Sequence, residues 1–221
     1  FHSPARLRSL DGQTFVDDGT IRQEELLAAM RASSGPTRTA CPAPEAYRAY
    51  FDDAEDIYIV TLSERLSGSY NAADQAVRCY REEGGTHNVH LFNSRSASAG
   101  QVQAALKILE LAEQGIPFAQ VVEQVEAYLD EMDTMFVLES LENLRKNGRL
   151  TKVQALVTGS LRIKLLMGAT PEGEIIKLGQ GFTERQALHK MVARAAESAG
   201  QEGKRLIISH CNCLERARYV R

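Results

Sequence analysis

The segment IYIVTLSERLSGSYNAADQA spans residues 57–76 and indicates the fold class of this chain. It begins with a mostly continuous apolar run, which is typical of a strand covered on both faces of a sheet. A stretch rich in hydroxyl groups follows from Thr61 to Ser69, and the chain then leads into a segment with helical character. Strand, loop and helix in this order form the repeating unit of parallel α/β sheets.

Three further short apolar runs predict buried strands elsewhere in the chain. They are VHLF (89–92), MFVL (135–138) and LIIS (206–209). The turn residues of TPEGE (170–174) lie between short β-like pieces and predict a hairpin. The first twenty residues have weak periodicity, and we expect them to cover the surface or to form an edge.

Helical patterns lie between the predicted strands, because apolar residues recur there at spacings of three and four. The first stripe consists of Val102, Ala105, Leu106, Leu109 and Ala112, and the second of Phe118, Val121, Val122, Val125, Leu129 and Met132. Two more helices are predicted by a capping box, in which a threonine is followed three residues later by a glutamine. The pairs are Thr20 with Gln23, before a helix near 21–32, and Thr183 with Gln186, before a helix near 184–199.

The order of these elements predicts an α/β protein with two domains. We expect residues 1–132 to form a first domain on a mainly parallel sheet, because its strands alternate with helices. We expect residues 133–221 to form a smaller second α/β domain with some antiparallel character, incomplete at its C-terminal end.

Composition narrows the function classes. The chain has 26 basic and 29 acidic residues and a formal charge of −3, which gives no argument for nucleic-acid binding. No apolar run approaches the roughly 20 residues needed to span a bilayer, so we expect a cytoplasmic protein that does not span the membrane. The four cysteines have no paired zinc spacing, and we predict no metal site, although CNC (211–213) leaves a metal or reactive site open.

The residues after each predicted strand are the candidates for a site, because ligands bind beyond the carboxyl ends of strands in α/β sheets. Two of these loops are rich in hydroxyl groups, namely residues 63–69 and 93–98. A helix that starts near Ser69 would add free backbone amides to the first loop, which suits a carboxylate or a phosphate. Ser67 has a plain alternative role as the cap of that helix.

Sequence motifs for catalysis are missing from these loops. The chain has no phosphate-binding loop, no dinucleotide fingerprint and no nucleophile elbow. No convincing acid–base pair follows the strands, which favours a binding site without catalytic residues. The alternative is a small hydrolase or phosphotransferase with Ser67 or Cys211 as its nucleophile, and such an enzyme needs a base within hydrogen-bond reach.

Four segments, in order and at suitable separations, resemble the DegV family of bacterial fatty-acid-binding proteins. TACPAP (39–44) is similar to the family's Thr-Ser-Gln-Pro-Ser stretch, and LSERLSGSYNAA (62–73) to its Ser-Gly-Thr-Tyr loop and helix. LFNSRSASAG (91–100) is similar to its serine-rich loop, and residues 138–164 to its segment with a Gly-Gly-Arg core. The resemblance covers roughly residues 10 to 215.

The resemblance implies a two-domain DegV-like fold with a long-chain fatty acid, such as palmitate, stearate or oleate, held between the domains. The two residues that hold the acyl carboxylate fall on Thr39 and Ser67. An arginine important for phosphoryl transfer falls on Arg149. The protein would present its ligand to a separate kinase subunit of the dihydroxyacetone-kinase-like type, as a carrier without cofactor, and the kinase would form the acyl phosphate. Further head-group or pocket contacts are expected from Gly68, Ser69, Ser94 and Ser96.

The chain departs from the family pattern at several positions. Ala40, Cys41 and Ala43 stand where the family usually has Ser, Gln and Ser, Asn93 replaces an Asp, and Asn147 replaces a Gly. An N-terminal Asp-Ser strand and a C-terminal segment with a histidine are missing from the pattern, so we expect the chain to be incomplete at both ends. A regulatory or scaffold protein with an incidental lipid remains a third alternative.

Overall fold

The computed structural model of the protein describes residues 6–33, 35, 37–150, 163–199 and 204–221. The α/β fold class predicted from the sequence is confirmed. The elements follow one another in this order: β1 (Arg6–Leu10), β2 (Gln13–Asp17), α1 (Gln23–Ala32), β3 (Arg38–Ala40), α2 (Pro44–Arg48), β4 (Asp56–Thr61), α3 (Ser69–Glu82), β5 (Asn88–Asn93), α4 (Ala99–Glu113), α5 (Phe118–Asp130), β6 (Met135–Val137), α6 (Glu142–Lys146), β7 (Lys164–Ala169), β8 (Ile175–Gly181), α7 (Glu184–Ala199) and α8 (Leu214–Val220).

A parallel pair of strands, β4 and β5, lies at the centre of the region before residue 133, with Thr61 level with Asn93 at its carboxyl end. Alternate side chains of β4 enter two different cores, as the twofold periodicity of a strand requires. Ile57 and Ile59 pack against α2 and α3. Tyr58 and Val60 pack against α4 and α5 on the other face. The carboxyl edge of this pair therefore lies between two helical layers.

The predicted TPEGE hairpin is confirmed. Strands β6, β7 and β8 form an antiparallel sheet, and the turn between β7 and β8 closes with a hydrogen bond from the Thr170 amide to the Glu174 carbonyl. The apolar cluster beneath this sheet is built on Leu150, Leu165, Met167 and Ile175. All its members come from residues after 133 except Leu66, so we propose that the domain boundary lies near residue 133.

The N-terminal residues form a sheet that the sequence analysis described only as a cover or an edge. β1 pairs with β2 on one side and with β3 on the other, both antiparallel. Asp11 and Gly12 join β1 to β2 with positive φ angles of 47° and 82°, as expected for a tight hairpin turn. The Asp-Gly pair was the sequence signal for this hairpin. Because β1 holds β3 in place, this sheet positions Thr39.

The prediction of a buried strand at LIIS (206–209) is wrong. Residues 204–210 pair with no strand among those the structure describes, and Leu206 is 67% exposed. The segment instead lies along α4, where Ser98 donates a hydrogen bond to Ser209 and Gln103 donates one to the Arg205 carbonyl. An apolar run predicts burial only where a neighbouring element is present to cover it.

Two helix predictions need correction. The core-facing stripe of α4 consists of Gly100, Ala104, Ile108 and Leu111, whereas the predicted Val102 is 48% exposed. This helix is apolar on most of its circumference, so spacing alone could not choose its buried face. The Thr20 capping box is also wrong, because Thr20 bonds to Asp18 and α1 starts only at Gln23.

The other helical predictions are confirmed. On α5 the stripe of Val121, Val125 and Leu129 is fully buried. The Thr183 hydroxyl accepts a hydrogen bond from the Gln186 amide at 3.2 Å, and the Gln186 side chain accepts one from the Thr183 amide at 3.4 Å, which completes the predicted capping box.

Candidate ligand-binding site

Arg149 contacts Thr39 directly and the residue before Ser67 through its carbonyl, and Thr39 and Ser67 are the two residues expected at a carboxylate site. Its Nη2 donates a hydrogen bond to the hydroxyl of Thr39 at 3.2 Å. Its Nε donates another to the carbonyl of Leu66, the residue before Ser67, at 3.1 Å. Thr39, Ser67 and Arg149 lie far apart in the sequence, yet a single guanidinium group connects their surroundings.

The position of Arg149 follows from the way α6 ends. Gly148 adopts a left-handed conformation with φ of 68°, and its amide bonds to the Arg145 carbonyl at 3.0 Å. The Arg149 amide bonds to the Leu144 carbonyl at 2.9 Å, which completes a Schellman motif. The next residue, Leu150, is buried in the apolar cluster beneath β7. The turn and this apolar anchor together direct the Arg149 side chain towards β3.

Thr39 lies in the three-residue strand β3, opposite Arg8 of β1, and is exposed. Two residues later, the thiol of Cys41 lies beside Gly68, because a side-chain carbon added to Gly68 would be 3.3 Å from the sulfur. The end of β3 therefore runs along the start of α3. A ligand group that contacts the Thr39 hydroxyl is thus close to the helix terminus.

The start of α3 forms a small nest of hydroxyl groups and amides. The Ser67 oxygen accepts a hydrogen bond from the Ser69 amide at 3.2 Å and lies 2.9 Å from the Ser69 hydroxyl oxygen. Gly68 is the capping residue, and no side chain caps the helix in its place. The amides of Gly68 and Tyr70 have no hydrogen-bond partner among the residues the structure describes, so they remain donors for an anion.

The serines of the second loop have protein partners. Ser94 is buried and donates to the Ser96 carbonyl at 3.3 Å, and the Ser96 hydroxyl lies 2.7 Å from that of Thr134. The Ser63 hydroxyl, also buried, donates to the carbonyl of Gly173 in the β7–β8 turn at 2.8 Å. These hydroxyls fasten the hairpin and the loops together, and a role of Ser94 or Ser96 in ligand binding stays a prediction.

The surroundings of the nest favour an anion chiefly through hydrogen-bond donors. Arg149 supplies a positive charge, and the nearby Arg65 lies 4.0 Å from Glu64, its exposed neighbour. Burial, with added repulsion from Asp74, Glu64 and Glu126, raises the pKa of the Tyr70 phenol above its ordinary value. Tyr70 therefore stays neutral at physiological pH and adds no negative charge beside the helix terminus.

The two candidate nucleophiles have no base beside them in the described contacts. The hydroxyl of Ser67 bonds to Ser69, and the thiol of Cys211 accepts a hydrogen bond from Gln23 at 3.7 Å. Within the described ranges, no three His, Cys, Asp or Glu residues group as metal ligands, and no helix is long and apolar enough to cross a bilayer. The arrangement around Ser67 is suited to binding.

Two features of the site were missed from the sequence. The Leu66 carbonyl, which accepts from Arg149, is a backbone group and has no sequence signal. Gly173 contacts the Ser63 loop although the two are more than 100 residues apart in the sequence. The only sequence signal at Gly173 was its place in a predicted turn, which does not indicate this contact. The segment expected to contain Arg149 continues into residues 151–162, which lie outside the described residues.

Comparison with known proteins gives a consistent result over nearly the whole chain. A family model described as "Uncharacterised protein, DegV family" matches residues 9–221. A curated DegV domain-containing protein of Streptococcus pneumoniae is 33% identical over 204 residues, which is 90% of this chain and 71% of the relative.

Solved structures give the same result for the fold. A DegV family protein from Ruminococcus gnavus with vaccenic acid superposes with a TM-score of 0.93 at 44% identity, over 98% of this chain and 77% of that one. The fatty acid kinase (Fak) B3 protein of Streptococcus pneumoniae, loaded with linoleic acid, gives 0.90 at 29% identity, over 98% and 77% of the two chains. A protein from Eubacterium eligens loaded with heptadecanoic acid gives 0.89 at 28% identity, over 98% and 78%.

Proposed function

We propose, from the premise that this chain belongs to the DegV family, that it binds a long-chain fatty acid and presents its carboxylate to a separate kinase. Thr39 and Ser67 hold the carboxylate, and Gly68 and Ser69 complete the head-group site. The protein acts as a cytoplasmic carrier that needs no cofactor, and the kinase performs the chemistry.

One observation carries this proposal: the Arg149 side chain bridges the Thr39 hydroxyl and the Leu66 carbonyl. This bridge brings two hydroxyl-bearing segments and one cation to the start of α3. The combination suits a carboxylate, because hydroxyl groups, free amides and a guanidinium all donate hydrogen bonds to it. The relatives from Ruminococcus gnavus and Streptococcus pneumoniae, whose structures hold vaccenic and linoleic acid, support the choice of ligand.

The energetics of an acyl chain fit such a site. Each buried CH₂ group contributes about 0.8 kcal/mol, so a sixteen-carbon tail supplies on the order of 10 kcal/mol before ordering costs. Leu66, whose carbonyl accepts from Arg149, packs against the apolar cluster built on Leu150 and Met167, so apolar residues begin beside the head-group site. Because the tail supplies most of the affinity, the head group needs only to be satisfied, and it stays available to a phosphoryl donor.

The direct test is native mass spectrometry of the protein purified from a bacterial host, before and after incubation with palmitate or oleate. We expect a mass increase of one fatty acid per chain that survives gentle desolvation. Hexadecane, which has the tail without the carboxylate, is the matched control ligand and should be retained less well than palmitate, because it leaves the hydrogen-bond donors of the head-group site without a partner. A chain that carries no fatty acid after loading would exclude the proposed function.

We expect a substitution of Arg149 to lower the rate at which the kinase forms acyl phosphate. Arg149→Lys keeps a positive charge but loses the planar group that contacts Thr39 and Leu66 together. We expect acyl phosphate formation to fall about tenfold when fatty acid, kinase and ATP are present at saturating concentrations, where a weaker ligand affinity no longer matters.

The control for this measurement is Arg145→Lys, because Arg145 lies on α6, just before the turn that carries Arg149, and its described side-chain contact is with Glu142. It should support acyl phosphate formation at the wild-type rate. Equal rates for Arg149→Lys and wild type would remove Arg149 from the transfer step. A wild-type protein that retains fatty acid but never supports acyl phosphate formation would instead favour the scaffold alternative.

A further inference from the structure

The two hydroxyl groups of the head-group site are both acceptors of hydrogen bonds from inside the protein. Arg149 can only donate, because a guanidinium group has no acceptor, so its bond to the Thr39 oxygen has a fixed direction. The hydroxyl hydrogen of Thr39 therefore points away from Arg149. It remains free to donate to another group.

Ser67 is in the same situation through Ser69. Its oxygen accepts the Ser69 amide hydrogen at 3.2 Å, and the two hydroxyl oxygens are 2.9 Å apart. When Ser69 donates across this second contact, both acceptor positions of Ser67 are filled and its own hydrogen is free. When Ser67 donates instead, its hydrogen is used within the nest, and the hydroxyl hydrogen left free belongs to the buried Ser69.

We propose that Ser69 is a positioning residue that, together with Arg149, turns the Ser67 and Thr39 hydroxyls into donors and so makes the site select an ionised carboxylate over neutral head groups. This inference rests on the proposed function and deepens it. A carboxylate only accepts hydrogen bonds and selects the arrangement in which Ser69 donates. An alcohol or a protonated acid carries a hydrogen of its own, and Ser67 offers no free acceptor for it in this arrangement. That hydrogen must go to the second acceptor position of Thr39 or force the Ser67–Ser69 bond to reverse.

The other charged and titratable groups around the nest do not take over the role proposed for Ser69. They are Cys41 beside Gly68, the exposed Glu64 and Arg65, the neutral Tyr70 with Asp74 and Glu126 near it, and Arg8 opposite Thr39. None of them forms a described hydrogen bond with Ser67 or Ser69. Substitutions at Ser69 leave these groups in place, so their influence on a bound carboxyl group is the same in each variant.

The test is a ¹³C NMR titration of palmitate labelled at its carboxyl carbon and bound to wild type, Ser69→Ala or Ser69→Thr. In Ser69→Ala, the Ser67 oxygen regains a free acceptor position, so the protonated acid is tolerated better. We expect the pKa of the bound carboxyl group to rise by about one pH unit, the size of a single strong hydrogen-bond effect. Ser69→Thr restores the hydroxyl and should titrate as wild type does.

A second measurement does not depend on the variants. Hexadecanol should compete with labelled palmitate for the wild-type site at least about tenfold more weakly than unlabelled palmitate does. Equal competition, or the same carboxyl pKa in wild type and Ser69→Ala, would overturn the role of Ser69. If wild type shows no bound palmitate signal, the proposed function fails with it, and that outcome is distinct from an unaltered titration.

Discussion

Gly173→Ala is expected to lower the free energy of unfolding by about 3 kcal/mol, the largest loss we anticipate for a single added methyl group. Gly173 has φ of 84°, a conformation in which any side chain costs about 1–2 kcal/mol. A carbon added there would also lie 2.3 Å from the Ser63 oxygen and 2.8 Å from the Arg95 Cα atom. Because the Arg95 atoms nearest to the added carbon belong to the backbone, rotation of a side chain cannot relieve the clash.

The measurement is urea unfolding of the two proteins, followed by circular dichroism. Gly179→Ala in β8 is the matched control, because the atoms nearest to its added carbon are those of Leu166 at 3.8 Å, an ordinary contact distance. That variant should unfold within about 0.5 kcal/mol of wild type. Equal stability of Gly173→Ala and Gly179→Ala would show that the hairpin turn does not pack on the Ser63 loop.

The double variant Thr39→Val with Ser67→Ala is expected to weaken fatty-acid affinity about 100-fold. In the proposed site each hydroxyl donates one hydrogen bond to the carboxylate, and losing a bond to a charged group costs about 1.5–3 kcal/mol. The total cost is smaller than the sum of the two losses, because water and the free amides of α3 still solvate the carboxylate. A net cost near 2.8 kcal/mol corresponds to two factors of ten in the dissociation constant.

Isothermal titration calorimetry with oleate below its critical micelle concentration measures this change. The matched control removes two hydroxyls elsewhere, with Thr20→Val and Ser33→Ala, whose oxygens bond to Asp18 and Gly35. It should bind oleate as wild type does. If the affinity of the Thr39 and Ser67 variant differs from the control by less than threefold, these residues do not hold the head group.

Local sequence patterns predicted those parts of the fold that depend only on the residues of a single strand, turn or helix. The apolar run at 57–62 became a covered parallel strand, and TPEGE became the β7–β8 turn, because periodicity and turn chemistry act over a few residues. The start of α3 at Ser69 also agreed with its sequence. The four segments of the family resemblance pointed to Thr39, Ser67 and Arg149, and in the structure Arg149 contacts Thr39 and the residue before Ser67.

The remaining features depend on contacts between distant residues. The bond from Arg149 to Thr39 spans 110 positions, and neither residue carries a local sign of the other. The exposure of Leu206 reflects which elements lie beside it, and an apolar run contains no such information. On α4 the choice of Gly100 and Ala104 as core residues depends on close approach to a neighbour, and spacing cannot report that.

Because α6 ends in a Schellman motif, the direction of the Arg149 side chain is set by a very short segment of the chain. Two backbone hydrogen bonds and the left-handed Gly148 set its direction, and they involve only residues 144 to 149. The cation can therefore be replaced by another side chain without rebuilding its support. Evolution or an engineer could retune the chemistry at the ligand's head group there, one residue at a time, while the scaffold stays unchanged.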